Sequence, residues 1–360
     1  MSKRIIIDIG HPAHVHYFRN FMSIMKGRGY EFKVIARDKE VTHDLLKSYS
    51  IEYVTRGKGA NGLFGKFKYL FSGTKLVLRE AKTFKPDFFI SFGSPYAALA
   101  SSIYKKPHIV FGDSDHGRMG AYFVSLFSKL YLNPVGYKNR FWFTKQIFFN
   151  SYTELFYLHP KYYTSDSSNT KKMLGLSDDD DYCIIRFVGW KAHHDINAKG
   201  LSNKDKMKLI DHLSQKTNVF ISSEEELPES LQRFKLNIPV DKIHDVLSDA
   251  ALFVGESGTM SSECAMLGVP NVQIRHTLER DKVPGVHLKL EERGLKILKH
   301  SKDISGIIDS ANHILDHYDE VKVQYQQKKD EMISEVDDLN DILIDMIIGY
   351  PESIKKYSEH

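Results

Sequence analysis

Residues 252–282, LFVGESGTMSSECAMLGVPNVQIRHTLERDK, decide how the chain is read. Residues 252–255 form a short apolar run that suits a buried strand, Ser257, Gly258 and Thr259 make a turn, and residues 260–267 read as a helix stopped by Gly268 and Pro270. A second apolar run starts at Asn271. This is the order of a parallel βαβ unit. It sets the free N–H groups of a helix at the carboxyl end of a strand, where open α/β sheets bind phosphorylated ligands. Gly258 lets a ligand approach the backbone, and the hydroxyls of Ser257, Thr259 and Ser261 are donors for a diphosphate beside the helix N-terminus. Glu263, roughly one turn further on, is placed to take ribose hydroxyls. The plainer alternative is an ordinary N-cap followed by an exposed glutamate.

The same alternation runs outward in both directions. Towards the N-terminus, strands are expected at 182–188 and 218–222 and helices at 203–216 and 243–250. In the first half, β-branched and aromatic runs at 5–9, 31–36, 51–55, 88–92 and 107–111 alternate with helical patterns at 15–25, 39–49, 67–84 and 96–104. Residues 165–181, rich in Ser, Asn and Asp, interrupt the pattern and read as a linker. The expected organisation is an N-terminal Rossmann-like domain at 1–170, a second at 171–335 and a helical tail at 336–360.

A chain of 360 residues suits two domains of about 150 to 180 residues each. With 42% hydrophobic and 27% charged residues it has apolar material for two cores, which excludes a disordered chain. A net charge of +4 gives no support to a nucleic-acid partner. The two cysteines, Cys183 and Cys264, lie in separate apolar segments and suit reduced buried thiols, hence the cytoplasm. The apolar run at 5–7 is too short for a signal peptide or a membrane span.

From Ser257 to Lys282 the sequence resembles, without a gap, the nucleotide-binding stretch of the non-hydrolysing UDP-N-acetylglucosamine 2-epimerases, matching at Ser257, Gly258, Glu263, Leu267, Gly268, Pro270, Arg275, Glu279 and Arg280. SGTMSSECAMLGVP at 257–270, SSE at 222–224, RFVGWKAHHD at 186–195 and GHPAHVHYFRN at 10–20 resemble an uncharacterised prokaryotic family placed among GT-B-like glycosyltransferases, over nearly the whole chain. That resemblance implies an α/β fold with two Rossmann-like domains facing an interdomain cleft, the nucleotide sugar on the second domain and the acceptor chiefly on the first. The chain departs from the epimerases in the first half. Gly93-Ser94-Pro95 stands where they carry an acidic residue, and the loop from Gly10 to His14 lacks their arginine.

The loop after the first strand holds His11, His14 and His16. A histidine suits removal of a proton from an acceptor hydroxyl, and His14 resembles the histidine of the glycine-histidine loop of lipid-linked N-acetylglucosaminyltransferases, while Gly10 beside it is expected among the nucleotide-sugar-binding residues. Asp113 and Asp115 in GDSDHGR close the strand at 107–111 and are alternative bases or orienting groups. Their spacing also fits a divalent ion, but an alternating two-domain chain argues against the metal-dependent GT-A fold, so no metal is expected. Lys191 and His194 are candidates to neutralise a leaving diphosphate, with Ser222 lining the ribose or base, while Arg275 and Glu279 are expected to pair. The aromatic and basic segment 119–149 reads as a helix, a loop and a strand packed on the core, or as a contact with a membrane face or lipid-linked acceptor.

These readings make the chain a metal-independent, cytoplasmic glycosyltransferase with no bound cofactor, a nucleoside-diphosphate sugar as donor and a glycan or lipid-linked acceptor, with the inner membrane face as a possible point of contact. A sugar-nucleotide 2-epimerase and a non-catalytic sugar-nucleotide binding protein are the alternatives, and oligomeric state is left open.

Overall fold

The computed structural model describes residues 3–60, 62–112, 118–187, 200–223 and 226–357. The chain divides into two compact units, residues 1–157 with 336–360, and residues 158–335.

In the first unit, β1 (Arg4–Ile9), α1 (Pro12–Gly27), β2 (Glu31–Asp38), α2 (Thr42–Ser48), β3 (Tyr53–Lys58), α3 (Gly62–Phe84), β4 (Phe88–Phe92), α4 (Pro95–Tyr104) and β5 (His108–Phe111) alternate as expected. They continue through α5 (Arg118–Phe127), β6 (Leu130–Asn133), β7 (Lys145–Phe148) and the single turn α6 (Leu155–Leu158). The described strands form a parallel seven-stranded sheet, β3-β2-β1-β4-β5-β6-β7. The order reverses between β1 and β4, which makes the ends where Gly10 and Gly93 leave the sheet its topological switch point. Ile6, Ile35 and Phe89 pack on Val77 and Ala81 of α3 and Ala97 and Ala100 of α4, all buried. Burying each of the Ile, Val and Phe side chains contributes about 1.5–3 kcal/mol, and each alanine less.

The second unit holds α7 (Ser167–Met173), β8 (Tyr182–Phe187), α8 (Asn203–Leu213), β9 (Asn218–Ser223), α9 (Ile243–Ser248), β10 (Leu252–Gly255), α10 (Gly258–Leu267), β11 (Asn271–Arg275), α11 (Gly285–Glu292), β12 (Ile297–His300), α12 (Ile304–Asp316) and α13 (Tyr318–Glu335). Its sheet runs β12-β11-β10-β8-β9, parallel throughout, with its reversal between β8 and β10. The turn from Gly255 to Gly258 therefore leaves the sheet at this unit's switch point. Cys183 and Cys264 are free and buried, and burial pushes the Cys183 thiol up to about 12.

The structure differs from expectation at the unit boundaries. The crossover lies at 157/158 instead of 170/171, because the polar segment at 165–181 carries α7, whose Met173 packs with Leu174 and Leu176 on the β8–α9 core. The C-terminal segment belongs to the first unit. In α14 (Leu339–Ile348), Leu339, Leu343, Ile344, Met346 and Ile347 are buried, and the helix packs against α1. The Asn340 side-chain amide donates to the Phe156 carbonyl at 2.9 Å, the Asn150 N–H donates to Asp337 at 2.9 Å, and α15 (Ser353–Lys356) is the last described helix. Segment 119–149 yields a second strand beyond the expected helix, loop and strand, since both β6 and β7 join the sheet.

Candidate functional site

Two glycines shape the turn from β10 into α10. A side chain at Gly255 would lie 2.7 Å from the Arg186 carbonyl, so only glycine lets β10 end this close to β8; the next N–H, of Glu256, donates to that carbonyl at 2.9 Å. At Gly258 an added methyl would lie 2.8 Å from His287 Nε2. Ser257 caps α10, its hydroxyl accepting from the Met260 N–H at 3.3 Å while its own O–H remains a donor. Gly258 and Thr259 contribute the N–H groups that a helix leaves without intrahelical acceptors, and Thr259 is partly exposed. Such a turn can receive an anion.

The other expected residues of this unit divide. Ser222 ends β9 and its hydroxyl accepts from Arg186 Nη1 at 2.9 Å, which keeps it at the carboxyl edge. Ser261 is a correction, being fully buried with its hydroxyl donating to Asn271 Oδ1 at 2.7 Å, so it locks α10 to β11 instead of facing a ligand. Glu263 is neither exposed nor open to solvent. It is 5% exposed, and His244 on α9 lies 3.1 Å from its carboxylate. Six residues past the cap, the helix has turned this side chain towards α9. The expected Arg275–Glu279 pair is replaced by Glu279 with Lys282 at 2.6 Å, while burial lowers the pKa of Arg275. Lys191, His194 and Glu224 lie outside the described residues.

Sequence reading passed over two features. Glu256 accepts from the Leu201 N–H at 2.7 Å, which pins the chain returning from the β8 loop beside the Ser257 turn. Lys296, on the approach to β12, is 2% exposed. Its ammonium donates to His287 Nδ1 at 2.9 Å and Ser262 Oγ at 3.0 Å and lies 3.4 Å from Gln273 Oε1. With Nδ1 accepting, the proton of a neutral His287 sits on Nε2, the nitrogen turned towards Gly258. A polar spacing of 9 to 34 residues gives no periodic signal, so only the fold brings this cluster together.

In the first unit, His11 caps α1, its Nδ1 accepting from the Ala13 N–H at 3.2 Å. His14 packs against Phe92 with ring centroids 5.0 Å apart, and its Nδ1 accepts from the Gly10 N–H at 3.2 Å. Burial holds its pKa well below the ordinary value, helped by His11, Lys39 and Arg56. The neutral ring therefore carries its proton on Nε2 and acts as a donor there. A general base needs the opposite tautomer. His16 is buried against Tyr49 and Tyr157, a packing role. Gly10 belongs to this unit and not to the one bearing the Ser257 turn.

Beneath this loop lies an ion pair invisible in the local sequence. Arg56 donates to Asp8 at 2.8 Å, both side chains almost wholly buried, and the guanidinium stacks 4.0 Å from the Tyr96 ring. Burial raises the Asp8 pKa, against the opposing pull of Arg56 and Ser94. Ser94 caps α4 through the Ala97 N–H, so the turn after β4 is fixed from below. Asp113 and Asp115 lie outside the described residues.

Residues 3–114 and 144–352 match the model of a family described as a protein of unknown function (DUF354). An uncharacterized protein of Methanocaldococcus jannaschii is 23% identical over 367 residues, an alignment covering 96% of this chain and 97% of that protein. The UDP-GlcNAc 2-epimerase of Neisseria meningitidis, in a crystal structure bound to UDP-GlcNAc, superposes with a TM-score of 0.65 at 14% identity, covering 96% of this chain and 100% of its own. The spinosyn forosaminyltransferase SpnP superposes with a TM-score of 0.62 at 11% identity, over 99% and 100%. At such identities the likeness is one of fold, and the fold is α/β and GT-B-like.

Proposed function

The chain belongs to the DUF354 family, and from the turns at its two switch points we propose that it is a metal-independent GT-B-type glycosyltransferase, moving a sugar from a nucleoside-diphosphate sugar, first of all a UDP-sugar, to a glycan or lipid-linked acceptor. The β10–α10 turn carries this reading. Gly255 and Gly258 permit close approach there, and a helix N-terminus opens at the reversal of strand order.

In this reading the diphosphate rests on the Gly258 and Thr259 N–H groups and the Ser257 and Thr259 hydroxyls. Lys191 and His194 neutralise it as it leaves, and Ser222 lines the same edge. Glu263, oriented by His244, takes the ribose. The acceptor oxygen attacks the anomeric carbon, the bond from that carbon to the diphosphate oxygen breaks, and the hydroxyl proton passes to a base. The tautomer of His14 favours Asp113 or Asp115 as that base and assigns His14 the task of donating from Nε2 to a substrate oxygen. Two free, buried cysteines fit a cytoplasmic setting.

A thermal-shift panel of nucleotides and nucleotide sugars tests the donor site. A ligand at 100 times its dissociation constant stabilises by about 2.7 kcal/mol, and no shift with any nucleotide sugar would remove the reading. The resemblance of 257–282 to the epimerases favours a second reading, sugar-nucleotide isomerisation. That predicts turnover of the nucleotide sugar alone, whereas transfer requires an added acceptor and continues unchanged in EDTA.

A further inference from the structure

Among the described residues the large exposed apolar side chains gather on the helical layer α3–α5 of the first unit and on the chain around β7. On α3, Leu63 is 90% and Phe64 82% exposed, and Phe67 and Phe71 are exposed as well. At 3.6 residues per turn these four fall within roughly 100° of the helix circumference. Lys66 and Lys68, both exposed, flank that stripe on either side. The buried side chains of the helix, Val77 and Ala81, come later, so its first half projects its aromatic stripe into solvent.

A second group comes from the segment singled out in the sequence. Of its aromatics, Tyr137, Phe141 and Phe149 are buried, which satisfies the core, but Met119 on α5 and Trp142 and Phe143 after β6 are exposed. The Arg140 guanidinium stands over the Phe148 ring at 4.1 Å. Topology joins the two groups. In a parallel sheet the first turns of α3 and α5 and the chain leaving β6 all emerge at the carboxyl edge, the edge that carries Gly10 and His14. Charge complementarity names the occupant: no Asp or Glu occurs between Glu52 and Glu80, nor from Arg118 to Thr153, while both stretches carry Lys and Arg. Aromatic residues bordered by cations, on a chain in which no described helix is long and apolar enough to cross a membrane, match the interfacial mode of attachment.

We propose that this edge of the first unit docks on an anionic phospholipid bilayer, with Phe64 and Phe67 of α3 and Trp142 entering the interface and Lys66, Lys68 and Arg140 meeting the headgroups. The proposal goes beyond the transferase reading and does not depend on it. The test is co-sedimentation of the full chain with vesicles of phosphatidylcholine alone and with phosphatidylglycerol added, at low and high salt. Binding is expected to the anionic vesicles and to weaken with salt. Phe64→Glu with Phe67→Glu should lower partitioning about tenfold or more, and Lys66→Glu with Lys68→Glu should abolish the preference for phosphatidylglycerol. Both sets lie on exposed positions, so melting temperature and nucleotide-sugar shifts should match the parent. Absence of vesicle binding by the parent overturns the proposal, as does full binding by the Phe64/Phe67 variant. A dimer that the same variant converts to monomer also overturns it, because a second copy then covers the face.

Discussion

His108 on β5 sits in the core of the first unit, and its bonding partners fix where its proton lies. Ser128 Oγ gives its hydrogen to the Val124 carbonyl at 2.7 Å, so it accepts from His108 Nδ1 at 2.8 Å. On the other side Ser91 Oγ accepts the Ser94 N–H at 3.1 Å and donates to His108 Nε2 at 2.9 Å. The chain of bonds runs one way from the turn after β4 to α5, and an added proton on Nε2 would reverse half of it in a fully buried place. Burial accordingly pushes His108 down from 6.5 to about 3. The unfolded chain binds the proton more readily, so this contribution to stability is complete above pH 6.5 and is lost as pH falls towards 3. At 1.36 kcal/mol per pH unit the loss is about 2 kcal/mol at pH 5 and about 3 kcal/mol at pH 4. Urea unfolding of the parent and of His108→Gln at pH 7 and pH 5 measures it. The variant, whatever its own stability at pH 7, should lose about 2 kcal/mol less on acidification. Equal losses in the two proteins would refute the assignment, and so would a His108 ring that titrates near 6.5 by NMR.

Gly258→Ala drives a methyl to within 2.8 Å of a His287 ring that Lys296 holds from behind, which should cost about 1–3 kcal/mol of stability and remove the thermal shift by nucleotide sugar; an unaltered shift would take the α10 turn out of the site. Arg56→Met leaves Asp8 buried without its cation and should destabilise the protein by about 3–5 kcal/mol in denaturant titrations. Glu263→Gln exchanges the charged partner of His244 for a neutral amide. It should weaken nucleotide-sugar affinity by about 1–3 kcal/mol in calorimetry, and an unchanged dissociation constant would confine Glu263 to the core. His14→Gln should reduce kcat yet keep the acid limb of the pH–rate profile, because the base lies elsewhere; disappearance of that limb would restore His14 as the base.

The alternating pattern was enough to place β1 to β5 and β8 to β11, because a parallel strand buried on both faces shows as an apolar run and its following helix as a 3.6-residue stripe. The GT-B-like class followed from that alternation together with the resemblance. β12 was missed because Ile297–His300 offers only two apolar residues, Ile297 and Leu298, before lysine and histidine at the edge of its sheet, too short a run to read as a strand. In the candidate site, Ser257 and Gly258 were legible because a turn between strand and helix is a local event. Ser261 misled because its surroundings are tertiary: Asn271 lies 10 residues away and claims a hydroxyl that local spacing had offered to a ligand, and the burial of Glu263 beside His244, 19 residues away, was equally hidden. Lys296 and the Asp8–Arg56 pair were illegible for the same reason.

The path of the chain between its units bears on its synthesis. The first unit is interrupted after residue 157 and resumes at 336, with α14 laid against α1. At about 5–20 residues per second, the ribosome takes on the order of 10 to 35 s to make the intervening second unit. Throughout that interval the first sheet is complete in strands while α1 waits without its partner helix. The second unit, contiguous in sequence, meets no such delay. The N-terminal half of the protein is thus the last to finish folding, and the face of α1 that α14 covers stays open until the final helices arrive.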